Sequence, residues 1–116
     1  MSEVAPAATP AIRIPRTLPA THAAFAGHFP GQPLLPGVVL LAEVLEAALT
    51  DTTLAALLGP RPTLASAKFL APVSPDGTAP IELVIEFQPL PRGARFEVQR
   101  GGVVVTRGQF NVGEPT

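Results

Sequence analysis

The sequence of 116 residues contains no cysteine, which excludes disulfides, a thiolate nucleophile and any cysteine-ligated metal site. Histidine is almost as scarce, with His22 and His28 alone, and the acids are scattered. A catalytic zinc site is therefore not expected, and no cofactor motif is present. The net charge of −1 comes without a basic stripe, which removes the general argument for a nucleic acid partner. No apolar segment approaches the ~20 residues that span a bilayer. Nor does the start combine a basic stretch with an apolar run, as a signal peptide does. These absences leave a soluble, cytoplasmic, single-domain protein as the expectation.

What the chain does have is proline and patterned apolar residues. Its 15 prolines lie in the connections and interrupt no long periodic segment. Residues 1–10, MSEVAPAATP, are small, Pro/Ala-rich and without periodicity, so they are expected to be a disordered leader, with one domain over 11–116. Residues 11–14 can form a short strand, which Pro15 and Pro19 limit. From Val38 the sequence VVLLAEVLEAALT is helical in period. At ~100° per residue, Val38, Leu41, Ala42, Leu45 and Leu49 share one face. Glu43, Glu46 and Thr50 form a narrow polar stripe, and the rest is apolar, so burial on nearly all sides is expected. Asp51-Thr52-Thr53 can cap a short further turn that Gly59-Pro60 ends.

Beyond residue 60 the period changes to two. Residues 63–70 read as a strand, and Ile81, Leu83, Ile85 and Phe87 alternate with Glu82, Val84, Glu86 and Gln88, a half-buried strand. Ala94, Phe96 and Val98 repeat the pattern, and Gly101-Gly102 makes a two-residue hairpin turn into residues 103–112. The expected class is α+β: one long central helix wrapped by a curved antiparallel sheet, as in a hotdog fold. Another α+β sandwich topology is the alternative.

The loop before the helix, GHFPGQPLLPGV at residues 27–38, fixes one histidine, three prolines and three glycines at set spacings. It resembles the signature of the hotdog 3-hydroxyacyl-[acyl-carrier-protein] dehydratases, particularly their short thioester dehydratase members. Lys68-Phe69 with Pro72-Val73 and Pro75 resembles a second patch of that family. The resemblance covers about residues 25–75 by motif and the later strands by pattern. It implies dehydration of 3-hydroxyacyl thioesters on acyl carrier protein to trans-2-enoyl thioesters. It also implies a homodimer or a heteromer with a related dehydratase, the histidine and the acid of one site coming from different subunits.

The residues suit that chemistry. His28, with an unperturbed pKa of ~6.5, is largely neutral at pH 7 and can remove the C2 proton. His22 has no such context and reads as a surface residue. The developing enolate oxygen needs a donor, which a helix N-terminus supplies; the resemblance assigns this to the Gly37 N–H. Phe29, Pro36, Val38, Leu41 and Ala42 are then expected to line the substrate site.

The same resemblance expects an acid six residues beyond Pro36, and Ala42 stands there. Glu46 lies one helical turn on and ~40° round, so its carboxylate could reach back. Glu43 points ~100° away and becomes the better choice only if the helix start is re-registered. The third alternative is that Glu43, Glu46 and Thr50 form a solvated or subunit-facing stripe. Three functions follow: a dehydratase with a displaced acid, a non-catalytic subunit that binds carrier protein or pairs with an active dehydratase, or a hotdog thioesterase. The dehydratase-type loop argues against the thioesterase. The arginines read as solvated charges, some of which an acidic carrier protein would need.

Overall fold

The computed structural model describes residues 10–22 and 34–113. The expectations placed on His28, Phe29, the rest of the 27–33 loop and the leader lie outside these residues. The described elements run β1 (Ile12–Leu18), α1 (Gly37–Thr50), α2 (Thr52–Leu58), β2 (Thr63–Phe69), β3 (Ile81–Leu90), β4 (Gly93–Arg100) and β5 (Val103–Asn111). The strands form one antiparallel sheet in the order β1-β3-β4-β5-β2.

The sheet follows from the alternation. Ile81, Leu83, Ile85 and Phe87 of β3 are buried, and their register partners Phe96 and Val98 on β4 continue the same apolar face. Phe110 of β5 pairs with Ala94 and stacks obliquely on Phe96, with ring centroids 5.3 Å apart. Gly101 and Gly102 both have positive φ, 57° and 82°. That is the type I′ requirement of a two-residue hairpin, which side chains with a Cβ meet only at a cost. β1 continues through Pro15 instead of stopping there. It is an edge strand, where a missing N–H removes no ladder bond that a central strand would need.

The helical layer departs from the expected single long helix. It consists of two pieces, 14 and 7 residues long, that meet at Asp51. The Asp51 backbone is extended and its carboxylate accepts the Leu54 N–H at 2.9 Å, a cap that starts α2 and ends the continuity of α1. The buried side of α1 is Leu40, Val44, Ala47 and Ala48, packed with Leu54 and Leu58 of α2 on the apolar sheet face. Burying a side chain such as Leu40 or Val44 contributes ~1.5–3 kcal/mol each.

The opposite side of α1 is not covered by the described residues, contrary to the expectation of burial on nearly all sides. Val38 is 74% exposed, Leu49 39%, and Ala42 is also exposed. The face on which Val38, Leu41, Ala42, Leu45 and Leu49 were expected to share burial thus points largely outward, with Leu41 and Leu45 only partly buried against the core. Every residue of β2 is exposed as well. Among the described residues, no helix is long and apolar enough to cross a membrane.

Candidate functional site

The first helical turn of α1 begins at Gly37 behind Pro36, which makes no side-chain cap. Proline is pre-shaped for this position. The amides of Val39 and Leu40 reach back to the Pro36 carbonyl at 3.0 and 3.1 Å. Those of Gly37 and Val38 have no acceptor among the described residues. Two free N–H groups at the positive end of a helix are donors for a carbonyl oxygen that gains negative charge.

A second segment builds the wall around them. The N–H groups of Leu70 and Ala71 both donate to the Val105 carbonyl, at 2.8 and 3.2 Å, and Leu35 donates to the Val73 carbonyl at 2.8 Å. These bonds fix the chain leaving β2 against the chain entering α1. Phe69 is thereby laid over Gly37: a Cβ on Gly37 would lie 2.6 Å from Phe69 Cζ. A side chain on residue 37 would have to push that ring aside. The result is a cavity of about 380 Å³ lined by Leu35, Gly37, Leu40 and residues 69–73. Its size is that of a small-molecule site, and its side chains are all apolar.

The structure distributes the expected site residues unevenly. Gly37 lines the cavity and Pro36 adjoins it. Val38, Leu41 and Ala42 do not line it. Glu43 and Glu46 are absent from its walls too; at 1.5 Å per residue they stand ~9 and ~14 Å further along the helix axis than Gly37.

Both carboxylates are instead held by Arg16 of β1. Arg16 lies in register with Leu83, hence on the helix side of the sheet. It donates to Glu43 Oε1 from Nε at 3.2 Å and from Nη2 at 2.8 Å, and its Nη2 also donates to Glu46 Oε1. Glu43 and Arg16 are largely buried, at 18% and 23% side-chain exposure, whereas Glu46 is 63% exposed. The hydrogen bond to Glu43 pushes the Arg16 guanidinium further above its ordinary value, with burial opposing it and Glu46 adding a smaller contribution.

Sequence reasoning missed the role of Arg16, since nothing local to β1 distinguishes it from a solvated arginine. It also missed Phe69 as a wall, although the Lys68-Phe69 and Pro72-Val73 patch was the signal. Among the described residues there is no group of three or more His, Cys, Asp or Glu that could hold a metal ion. A larger hollow of about 680 Å³ lies on the other face of the sheet, lined by Lys68, Glu86, Arg95, Glu97 and Arg107 among others. Its mixed charges and distance from the helix start make it a poor fit to thioester chemistry.

The sequence model for ApeI-like proteins, described as ApeI dehydratase, matches residues 6–109 of this chain. Among solved structures, the dehydratase heterocomplex ApeI:P from Xenorhabdus doucetiae is similar at 26% identity. It aligns over 87% of this chain and 85% of that one with a TM-score of 0.67. An uncharacterized protein from Erwinia carotovora subsp. atroseptica aligns at 25% identity, over 87% of this chain and 81% of that one, with a TM-score of 0.62. No curated protein matches the sequence.

Proposed function

The chain belongs to the ApeI-like dehydratase family, a hotdog-type dehydratase family, and from that premise we propose that it dehydrates 3-hydroxyacyl thioesters carried by acyl carrier protein. The observation that carries this reading is the apolar cavity of about 380 Å³ set against the uncapped start of α1 at Gly37. A thioester carbonyl that accepts from the Gly37 N–H has its enolate form stabilised there, and the acyl chain lies along Leu35, Leu40 and Leu70. His28, in the segment that leads to Pro36, is the base. It takes the C2 proton as the C2=C3 bond forms and the C3–O bond breaks, and the hydroxyl leaves as water after accepting a proton from an acid.

That acid does not come from Ala42. Glu43 and Glu46 accept hydrogen bonds from Arg16 within their own chain, so either one must exchange Arg16 for substrate to serve. The bare outer side of α1 and the exposed β2 edge support a second chain seated against them, in a homodimer or with a related dehydratase. The relative from Xenorhabdus doucetiae is itself part of a heterocomplex. A second reading follows from Ala42 and Arg16 together: the chain is the non-catalytic member of such a pair, binding the acylated carrier and leaving the protonation to its partner.

The deciding experiment is turnover of a 3-hydroxyacyl carrier protein by the purified chain alone and after addition of a related dehydratase subunit. Activity alone that is lost in His28→Ala, by ~10²–10⁴-fold for a missing general base, establishes the first reading. An inactive chain that gains activity through Ala42→Glu overturns it and leaves the second.

A further inference from the structure

Phe69 is the aromatic residue in the wall of the cavity beside Gly37. Phe69 is 52% exposed, yet its position is held from both sides. Its strand neighbour in register is Thr106 of β5, the two amides that follow it donate to Val105, and Leu35 donates to Val73. Its Cζ and Cε1 would lie 2.6 and 2.8 Å from a Cβ on Gly37. The volume directly beside the Gly37 Cα is therefore filled by one ring edge, and the uncovered remainder of the ring looks onto the cavity.

We propose that Phe69 is the specificity-determining residue at the substrate C2 position, and that it restricts the site to acyl chains without a C2 branch. This inference rests on the reading that a thioester carbonyl docks at Gly37. A carbonyl oxygen in hydrogen-bond range, ~2.9 Å from the Gly37 nitrogen, brings its own C2, two bonds away, alongside the residue whose missing Cβ the phenyl edge replaces. The two hydrogens of an unbranched C2 fit against the ring. A methyl group there competes with the Phe69 ring, which lines the same cavity, for the space beside Gly37. The cavity wall offers no compensating polar contact, so the discrimination is steric and is set by the size of residue 69.

The test compares 3-hydroxyhexanoyl pantetheine with its 2-methyl analogue, as binding titrations and as turnover, on the full chain. The comparison covers wild type, Phe69→Ala, Phe69→Leu and Lys68→Ala, with folding of each checked by thermal melting. Wild type is expected to favour the unbranched compound by ~10–200-fold, the range one methyl group commands in a tight pocket. Phe69→Ala should bring the ratio close to one, and Phe69→Leu should give an intermediate ratio if the alanine variant does not fold. Lys68→Ala, on the other face of the sheet, should leave the ratio where it was. Equal acceptance of both compounds by wild type overturns the proposal, as does a ratio unchanged in a folded Phe69 variant. Failure of wild type to bind either compound, alone and with a related dehydratase subunit added, overturns the dehydratase reading and this inference with it, which separates the two failures.

Discussion

Arg16 and Glu43 form a two-pronged contact between the sheet edge and the helix: Nε and Nη2 of the arginine both donate to the same Oε1, at 3.2 and 2.8 Å. The pair is mostly shielded from water, whereas the second partner of Arg16, Glu46, stands on the exposed rim. Removing Arg16 strands the Glu43 charge in a partly dry place, and removing Glu43 leaves Arg16 with the exposed Glu46 alone. Removing both at once does neither.

This asymmetry sets the first prediction. Arg16→Met and Glu43→Gln should each destabilise the fold, with a coupling of ~1–3 kcal/mol in a double-mutant cycle read by urea unfolding. Glu46→Gln should cost at most about 1 kcal/mol, as rim ion pairs do. Coupling to Glu46 that equals coupling to Glu43 would contradict the burial argument. The same variants assayed for turnover show whether either carboxylate has a second use.

Gly37 and Phe69 give the second. Gly37→Ala places a methyl group 2.6 Å from Phe69 Cζ, an overlap that real Cβ contacts do not sustain. Overpacking of this kind costs ~1–3 kcal/mol. Because the neighbour is a ring with one side uncovered, Phe69→Leu should recover most of that loss in the Gly37→Ala background while doing little for stability alone. Independent effects of the two substitutions, measured by thermal melting, would show that the ring swings aside freely.

Thr106 gives the third. It is fully buried, and its Oγ1 has no hydrogen-bond partner among the described residues. A buried hydroxyl without a partner carries its desolvation penalty uncompensated, ~1–3 kcal/mol. Thr106→Val, which keeps the shape and removes the oxygen, should leave stability unchanged or raise it. A clear loss in urea unfolding would mean the hydroxyl is bonded in solution.

The fourth concerns assembly. Val38 lies on the outward side of α1 at 74% exposure, so Val38→Glu should change the stability of an isolated chain by no more than ~0.5 kcal/mol. If a second chain covers that side, the same substitution buries a charge and should split the assembly into single chains in sedimentation. β2 offers a complementary check. It is an exposed edge with a single charged residue, Lys68, whereas β1 at the other edge carries Arg13, Pro15 and Arg16. Charge and proline protect an edge from pairing. Lysine substitutions along β2 should therefore weaken association more than the same changes on β1.

Much of this fold is written in local sequence. The alternation of residues 81–88, the double glycine at 101–102 and the cap at Asp51 each act through neighbours a few positions away, and each element formed where its pattern lies. The helix entry was legible for the same reason: proline followed by glycine at a helix start is a local instruction. Its surroundings were not. Which side of an almost uniformly apolar helix faces the sheet cannot be decided by periodicity when both sides carry leucine and valine; Leu40 and Val44 are buried in the core, and Leu41 and Leu45 only flank it.

The sequence by itself determined strands β2 to β5, the turns, the helix entry at Pro36-Gly37 and the absence of an acid at Ala42, because short-range sterics and backbone hydrogen bonding control all of these. Only the tertiary structure decided that Arg16 of β1 occupies the two remaining helix acids and that Phe69 closes over Gly37. Both contacts join residues about thirty positions apart. They exist because antiparallel pairing sets the register of β1 and β2 against strands far along the chain, which delivers each side chain to the helix from outside its own neighbourhood.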